Sequence, residues 1–171
     1  MCAPADADRT EVLFSGRLLR VLRRFTPQGL REVVDHPGAV AILVTDENGR
    51  VLLVRQYREG ARDELWEIPA GTLEPGEKPY ACAQRELAEE VGLSGRLRFL
   101  GVLHPTPGYS TEQIFLFRLI NPVAAARARN EIEEVRFFPV TEVLNLARKG
   151  KGDGKTLAAL AFLLANLQEE D

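Results

Sequence analysis

Five carboxylates crowd one stretch of this 171-residue chain: residues 71–93 read GTLEPGEKPYACAQRELAEEVGL and carry Glu74, Glu77, Glu86, Glu89 and Glu90. Pro79 opens and Gly92 closes a helical pattern over residues 79–91; proline suits a helix's first turn and glycine the position just past its last. Ala83, Leu87 and Val91 recur every fourth residue and make the buried stripe. Glu86 precedes Glu89 and Glu90 by three and four residues, so all three share a face beside that stripe. Like charges so spaced weaken a helix. Arg85 reaches Glu89 at i+4 and offsets part of the charge, but one cation does not neutralise three anions. A divalent ion does, and Mg²⁺ takes hard oxygen ligands and often bridges to substrate phosphates. Gly71 and Gly76 bracket a compact loop ahead of the helix, and the Ala70 carbonyl beside it offers another hard ligand. These residues suit a metal clamped against a phosphate. The plain alternative is a solvated acidic helix face, which the run RELAEE alone would fit equally well.

Elements on either side must position that helix. Residues 11–36 read as short strands, the first over residues 17–22 and the second over 30–35, with a turn at Pro27-Gln28-Gly29. Two or three strands are not stable alone, so they must pack on the main domain or on a partner chain. Residues 39–45 form a continuous apolar strand, Asp46-Glu47-Asn48-Gly49 a hairpin turn and residues 51–54 the return strand, continued by Arg55-Gln56-Tyr57-Arg58. Leu65-Trp66-Glu67-Ile68 is a short strand stopped by Pro69. Further strands are expected over residues 96–103, 113–119 and 135–138, with helices over 141–148 and 156–167. Strands before, between and after two long helices predict an α+β, sandwich-like α/β/α domain. Residues 1–10 are expected to form a disordered lead, 11–37 a small antiparallel strand subdomain and 38–171 the main domain.

Composition bounds the function. At 45% hydrophobic and 27% charged residues the chain has enough apolar material for a core and enough charge for a wetted surface. The net charge of −3 comes with no basic stripe, so no nucleic-acid partner is expected. Arg17, Arg20, Arg23 and Arg24 alternate with apolar residues and read as the polar face of strands, with a ligand-facing cationic patch as the alternative. Cys2 and Cys82 are too few for a disulfide framework or a zinc site. The longest apolar run, residues 157–165, is too short to span a bilayer. No membrane partner and a cytoplasmic location are therefore expected.

The acidic segment resembles the signature of the Nudix hydrolases: Gly71, Glu77, Arg85, Glu86, Leu87, Glu89, Glu90, Gly92 and Leu93 occupy every specified position. The flanks are similar to the ADP-ribose pyrophosphatase branch: His36-Pro37-Gly38-Ala39-Val40, Val54-Arg55-Gln56-Tyr57-Arg58, Trp66-Glu67-Ile68-Pro69-Ala70-Gly71, and Pro107-Gly108 followed by Ser110-Thr111-Glu112. The resemblance implies a mixed sheet between helices, plus N-terminal strands often exchanged across a homodimer. It implies Mg²⁺, with Mn²⁺ as a substitute, and a nucleoside diphosphate sugar as the small-molecule partner. It makes the Ala70 carbonyl, Glu86 and Glu90 metal ligands, with Glu89 joining them or orienting a bridging water, and Arg85 holding the carboxylates.

A further glutamate in a late loop would position or deprotonate the nucleophile. Glu131 and Glu133 fall in the matching stretch, with Glu133 the better candidate. Arg55 and Arg58 are candidates for phosphate contact through their planar donor forks, and Gly108 and Glu112 for a loop touching the distal sugar. Trp66 reads as core rather than a base-stacking ring. His36 and His104, each beside a proline, read as structural. The expected reaction is hydrolysis of ADP-ribose to AMP and ribose 5-phosphate. The alternatives are hydrolysis of another sugar nucleotide such as GDP-mannose, and a non-catalytic nucleotide-sugar binding module.

Overall fold

A computed structural model describes residues 9–125 and 134–167. Three antiparallel strands come first: β1 (Thr10–Ser15), β2 (Arg20–Thr26) and β3 (Gly29–Asp35), paired in that order. The expected first strand over residues 17–22 is displaced. Gly16 N–H donates to the Leu19 carbonyl at 2.9 Å, closing a turn that takes Arg17 and Leu18 out of the ladder. The preceding residues pair instead, with a bulge between Val12 and Phe14. Two of the four arginines face acids across this sheet: Arg20 pairs with Asp35, and Arg23 with Glu11 and Glu32.

The main domain is built round β4 (Ala39–Leu43), whose every residue is buried. A strand covered on both faces must be apolar at odd and even positions alike, which is why it reads as a continuous run. Ala39, Ala41 and Leu43 join one core with Leu53, Ile68, Leu116, Ala159 and Leu160. Val40 and Ile42 join a second core with Val54, Cys82, Ala83 and Leu87. β4 pairs antiparallel with β7 (Ala70–Thr72) and parallel with β9 (Ile114–Ala124), which pairs with β8 (Leu93–Leu103). A third sheet orders β10 (Glu134–Phe138), β5 (Val51–Arg58) and β6 (Asp63–Glu67). Helix α1 (Pro79–Glu86) packs on β4 and β7, and α3 (Gly154–Leu167) on β8, β4 and β9. The short α2 (Val140–Arg148) adds Val143 to the first core. The result is an α/β/α sandwich with a mixed sheet and a small antiparallel N-terminal sheet, as expected.

The acidic helix departs from the expectation in one respect. It is α-helical only to Glu86; Leu87–Val91 is a π-helical turn, ended by Gly92 at φ 65°. The wider turn carries Glu89 and Glu90, and such turns are rare insertions that recur at functional sites.

Candidate functional site

The site is a polar cleft of about 440 Å³ between β5, β7 and the acidic helix. Glu86 and Glu90 project into it and are 2% and 6% exposed. Gly71 explains how Glu86 fits: a Cβ at that position would stand 2.0 Å from the Glu86 Cδ. Only a residue without a side chain lets the β7 backbone approach the carboxylate so closely. Glu90 accepts hydrogen bonds from the Ala70 backbone N–H at 3.1 Å and the Gln56 side-chain amide at 3.0 Å. Burial, aided by Glu86 beside it, still pushes the Glu90 carboxyl up to about 7. A buried carboxyl against a second one is a site short of positive charge.

Arg85 ties the helix to the loop before it. Its Nε and Nη2 donate to the two Glu77 oxygens at 2.9 and 2.8 Å, and Nη1 donates to Glu86 at 2.5 Å. Nη1 also lies 3.5 Å from Glu89, and Nη2 reaches the Thr72 carbonyl at 3.3 Å. Hydrogen bonding by Arg85 holds the Glu77 carboxyl down to about 2, and Glu77 pushes the Arg85 pKa up in turn. Glu77 therefore has a structural contact: it fixes the arginine that orients Glu86. Cys82, behind this pair, is fully buried, and burial pushes its thiol up to about 12. A thiol so raised is inert as a nucleophile.

Among the described residues no three His, Cys, Asp or Glu side chains gather as a preformed metal group; Glu86 and Glu89 both lie on Arg85 Nη1, while Glu90 lines the cleft beside Glu86. What the cleft does offer is Glu86, Glu90 and the Ala70–Gly71 backbone, an all-oxygen donor set matched to a hard cation. A buried carboxylate pair beside a backbone cradle that no Cβ could enter fits Mg²⁺ in composition.

The other expected residues separate. Arg58 lines the cleft and also a second chamber of about 470 Å³ that shares Ala70, Gly71 and Thr72 with it. Arg55 is placed elsewhere, against Glu64 and Glu134 in a pocket with Trp66 and Leu146. Residues 55 and 58 on one strand cannot share a face, since side chains alternate with period 2. Gln56 and Arg58 can, and both line the cleft. Glu112 lines the second chamber with His36, whose Nδ1 accepts from the Gly38 N–H at 3.0 Å. Gly108 lines neither chamber and has open space where a side chain would be. His104 is exposed. Trp66 packs edge-on against Phe138, ring centroids 4.7 Å apart, as a core residue. Glu131 and Glu133 lie outside the described residues.

Sequence reasoning missed Gln56, though strand alternation from Arg58 would have found it. It also missed Glu67, Asp153 and Lys155. Glu67 is 2% exposed, takes both Nε and Nη2 of Arg58 at 2.8 and 2.6 Å, and pairs with Lys155 from 88 residues away. Burial alone would raise the Glu67 carboxyl, but Arg58 and Lys155 outweigh it and hold it below the usual range. Nothing local in sequence announces a pair so distant.

Comparison with known proteins places the chain. The NUDIX domain family matches residues 35–160. The chain is 34% identical over 165 residues to "ADP-ribose pyrophosphatase" of Bacillus subtilis (strain 168), covering 90% of this chain and 89% of that one. It is 36% identical over 172 residues to "Methanol dehydrogenase activator" of Bacillus methanolicus, covering 94% and 92%. A solved structure described as "Crystal structure of ADP compounds hydrolase" superposes with a TM-score of 0.75 over 95% of this chain and 93% of that one, at 22% identity, a likeness of fold. With the signature residues gathered round the cleft and the match running from β3 into α3, the chain belongs to the NUDIX domain family.

Proposed function

We propose that this Nudix hydrolase cleaves the diphosphate of ADP-ribose, giving AMP and ribose 5-phosphate, with Mg²⁺ as its cofactor and Mn²⁺ as a substitute. The observation that carries the reading is the buried Glu86–Glu90 pair, set against Gly71 in one cleft with the Arg58 guanidinium. Glu86, Glu90 and the Ala70 carbonyl would hold the metal, with Glu89 nearby. Bound there, the ion would offset charge on the diphosphate oxygens and lower the pKa of a water. The chain's own residues do the rest. Arg58 receives phosphate at the side of its guanidinium that Glu67 leaves open. Arg85, braced by Glu77, orients Glu86, while Gln56 and the Ala70 N–H orient Glu90. Glu112 stands in the second chamber, where a distal sugar would lie. Water adds to one phosphorus, the bridging P–O bond breaks, and the departing phosphate keeps its sugar. Glu133 or Glu131 is the proposed residue for positioning the nucleophile.

Relatives named for ADP-ribose support the choice of sugar nucleotide. GDP-mannose or a similar compound is the second reading, favoured by the same cleft because its chemistry reads the diphosphate and not the base. A non-catalytic binding module is the reading from another class, and the intact Glu86, Glu89 and Glu90 speak against it. A substrate panel with Mg²⁺ and Mn²⁺, products resolved by chromatography, tests all three. AMP plus ribose 5-phosphate should dominate; another dominant pair overturns the narrow assignment, and binding without any product favours the module. The unit at residues 11–37 is proposed as a dimer contact, in keeping with the apolar side chains that β1 leaves exposed.

A further inference from the structure

We propose that Glu67 is a positioning residue: anchored from behind by Lys155, it fixes the Arg58 guanidinium where the two chambers meet. The proposal rests on the reading that Arg58 receives a diphosphate. Arg58 gives Nε and Nη2 to the two Glu67 oxygens, and among the described residues its Nη1 has no partner. One edge of the fork is thus occupied by protein while the remaining nitrogen is left for a ligand. The side chain is 42% exposed and lines both chambers, whereas its carboxylate partner is 2% exposed. A long flexible cation gains a fixed direction only if what holds it is itself immobile.

Glu67 is made immobile by the first turn of α3. Lys155 donates to Glu67 and also to Asp153, and Asp153 caps the helix by accepting the Thr156 backbone N–H at 3.1 Å. Thr156, 1% exposed, accepts the Ile68 N–H at 3.1 Å through its hydroxyl oxygen, which in turn donates to Asp153. Two consecutive residues leading into Pro69 and Ala70 are therefore held from α3. Burying this many charges costs more than an apolar packing of the same volume would. A charged node at the rear wall of the cleft has a use if it aims Arg58.

The test is a double-mutant cycle on Glu67 and Arg58, read as KM and kcat for ADP-ribose with Mg²⁺. Glu67→Gln and Arg58→Met should each raise KM about tenfold with kcat nearly kept, the size of one charge-assisted hydrogen bond. Together they should do no more than either alone, because Glu67 acts through Arg58. Losses that multiply, or a fall in kcat alone, would overturn the proposal. The pair Glu67→Met/Lys155→Met removes the buried carboxylate together with the lysine behind it, so that neither is left without the other, and it should raise KM as Glu67→Gln does. The same cycle is run on the Kd of α,β-methylene ADP-ribose by calorimetry. Coupled Kd losses without wild-type turnover would sink the hydrolase reading and leave Glu67 in place. A wild-type protein that binds no analogue would overturn the role of Glu67.

Discussion

At the scale of single residues, the cleft depends on an absence as much as on the acids it displays. Gly71 lets the Glu86 carboxylate lie where a Cβ would have to be. Gly71→Ala must therefore push Glu86 out of the cleft or move β7, and a shift of about an ångström in a reacting geometry costs roughly a hundredfold in rate. We expect kcat to fall by that order, with weaker Mn²⁺ uptake by calorimetry, while circular dichroism stays native. Glu90→Gln should abolish most turnover without loss of fold, since a neutral amide suits a buried position better than a charge does; normal kcat in that variant would remove Glu90 from the chemistry. Glu77 allows a pH prediction. Its carboxyl lies at about 2 in the folded chain because Arg85 binds it, against about 4.5 when unfolded. A depressed folded pKa gives stability that is present above about 4.5 and lost as pH falls towards about 2. Urea midpoints measured between pH 5 and pH 2.5 should fall more steeply for wild type than for Glu77→Gln; parallel curves would show that the Glu77–Arg85 pair contributes nothing.

At the scale of elements, patterns that depend only on neighbours in sequence were the legible ones. The all-apolar run of β4, the Ala83-Leu87 stripe and the closing Gly92 each specify a local conformation and a buried side, and each is found. Two features were not legible for the same reason. A π turn at Leu87–Val91 uses the same residue types as an α-helix, so periodicity does not announce it. The turn at Gly16–Leu19 carries apolar Leu18 and Leu19, which a pattern reading assigns to a strand. Within the site, the signature supplied Gly71, Arg85, Glu86 and Glu90, while Glu67 and Lys155 became visible only when α3 was seen to return behind β6. Gly92 also gives a test of the element it ends. At φ 65° an alanine there costs about 1 kcal/mol, so thermal denaturation of Gly92→Ala should show a midpoint lower by about 2–4 °C. An unchanged midpoint would mean the helix end tolerates another termination.

At the scale of the whole molecule, the N-terminal sheet is the part that does not close on itself. Val12 and Phe14 in β1 are 56% and 60% exposed, Leu18 in the following turn 53%, and Leu30 in β3 56%. Three strands with this much apolar side chain in water are not a stable unit, and exposed patches of this kind mark interaction surfaces. The sheet is joined to the main domain through β3, where Val34 donates to the Tyr109 carbonyl at 2.7 Å and accepts from the Thr111 N–H at 2.9 Å. That link leads into the loop that carries Glu112 to the second chamber. A second copy of the chain packed on β1 would cover Val12 and Phe14. Light scattering coupled to size exclusion should then give twice the 19.0 kDa of one chain. Val12→Glu/Phe14→Glu should shift the mass to a monomer, because a charge set in an apolar contact loses its water without gaining a partner. The monomer should keep Mn²⁺ uptake, since Glu86 and Glu90 lie in the main domain. A wild-type chain that elutes as a 19 kDa monomer at micromolar concentration would refute the dimer and leave the exposed face of β1 to another partner.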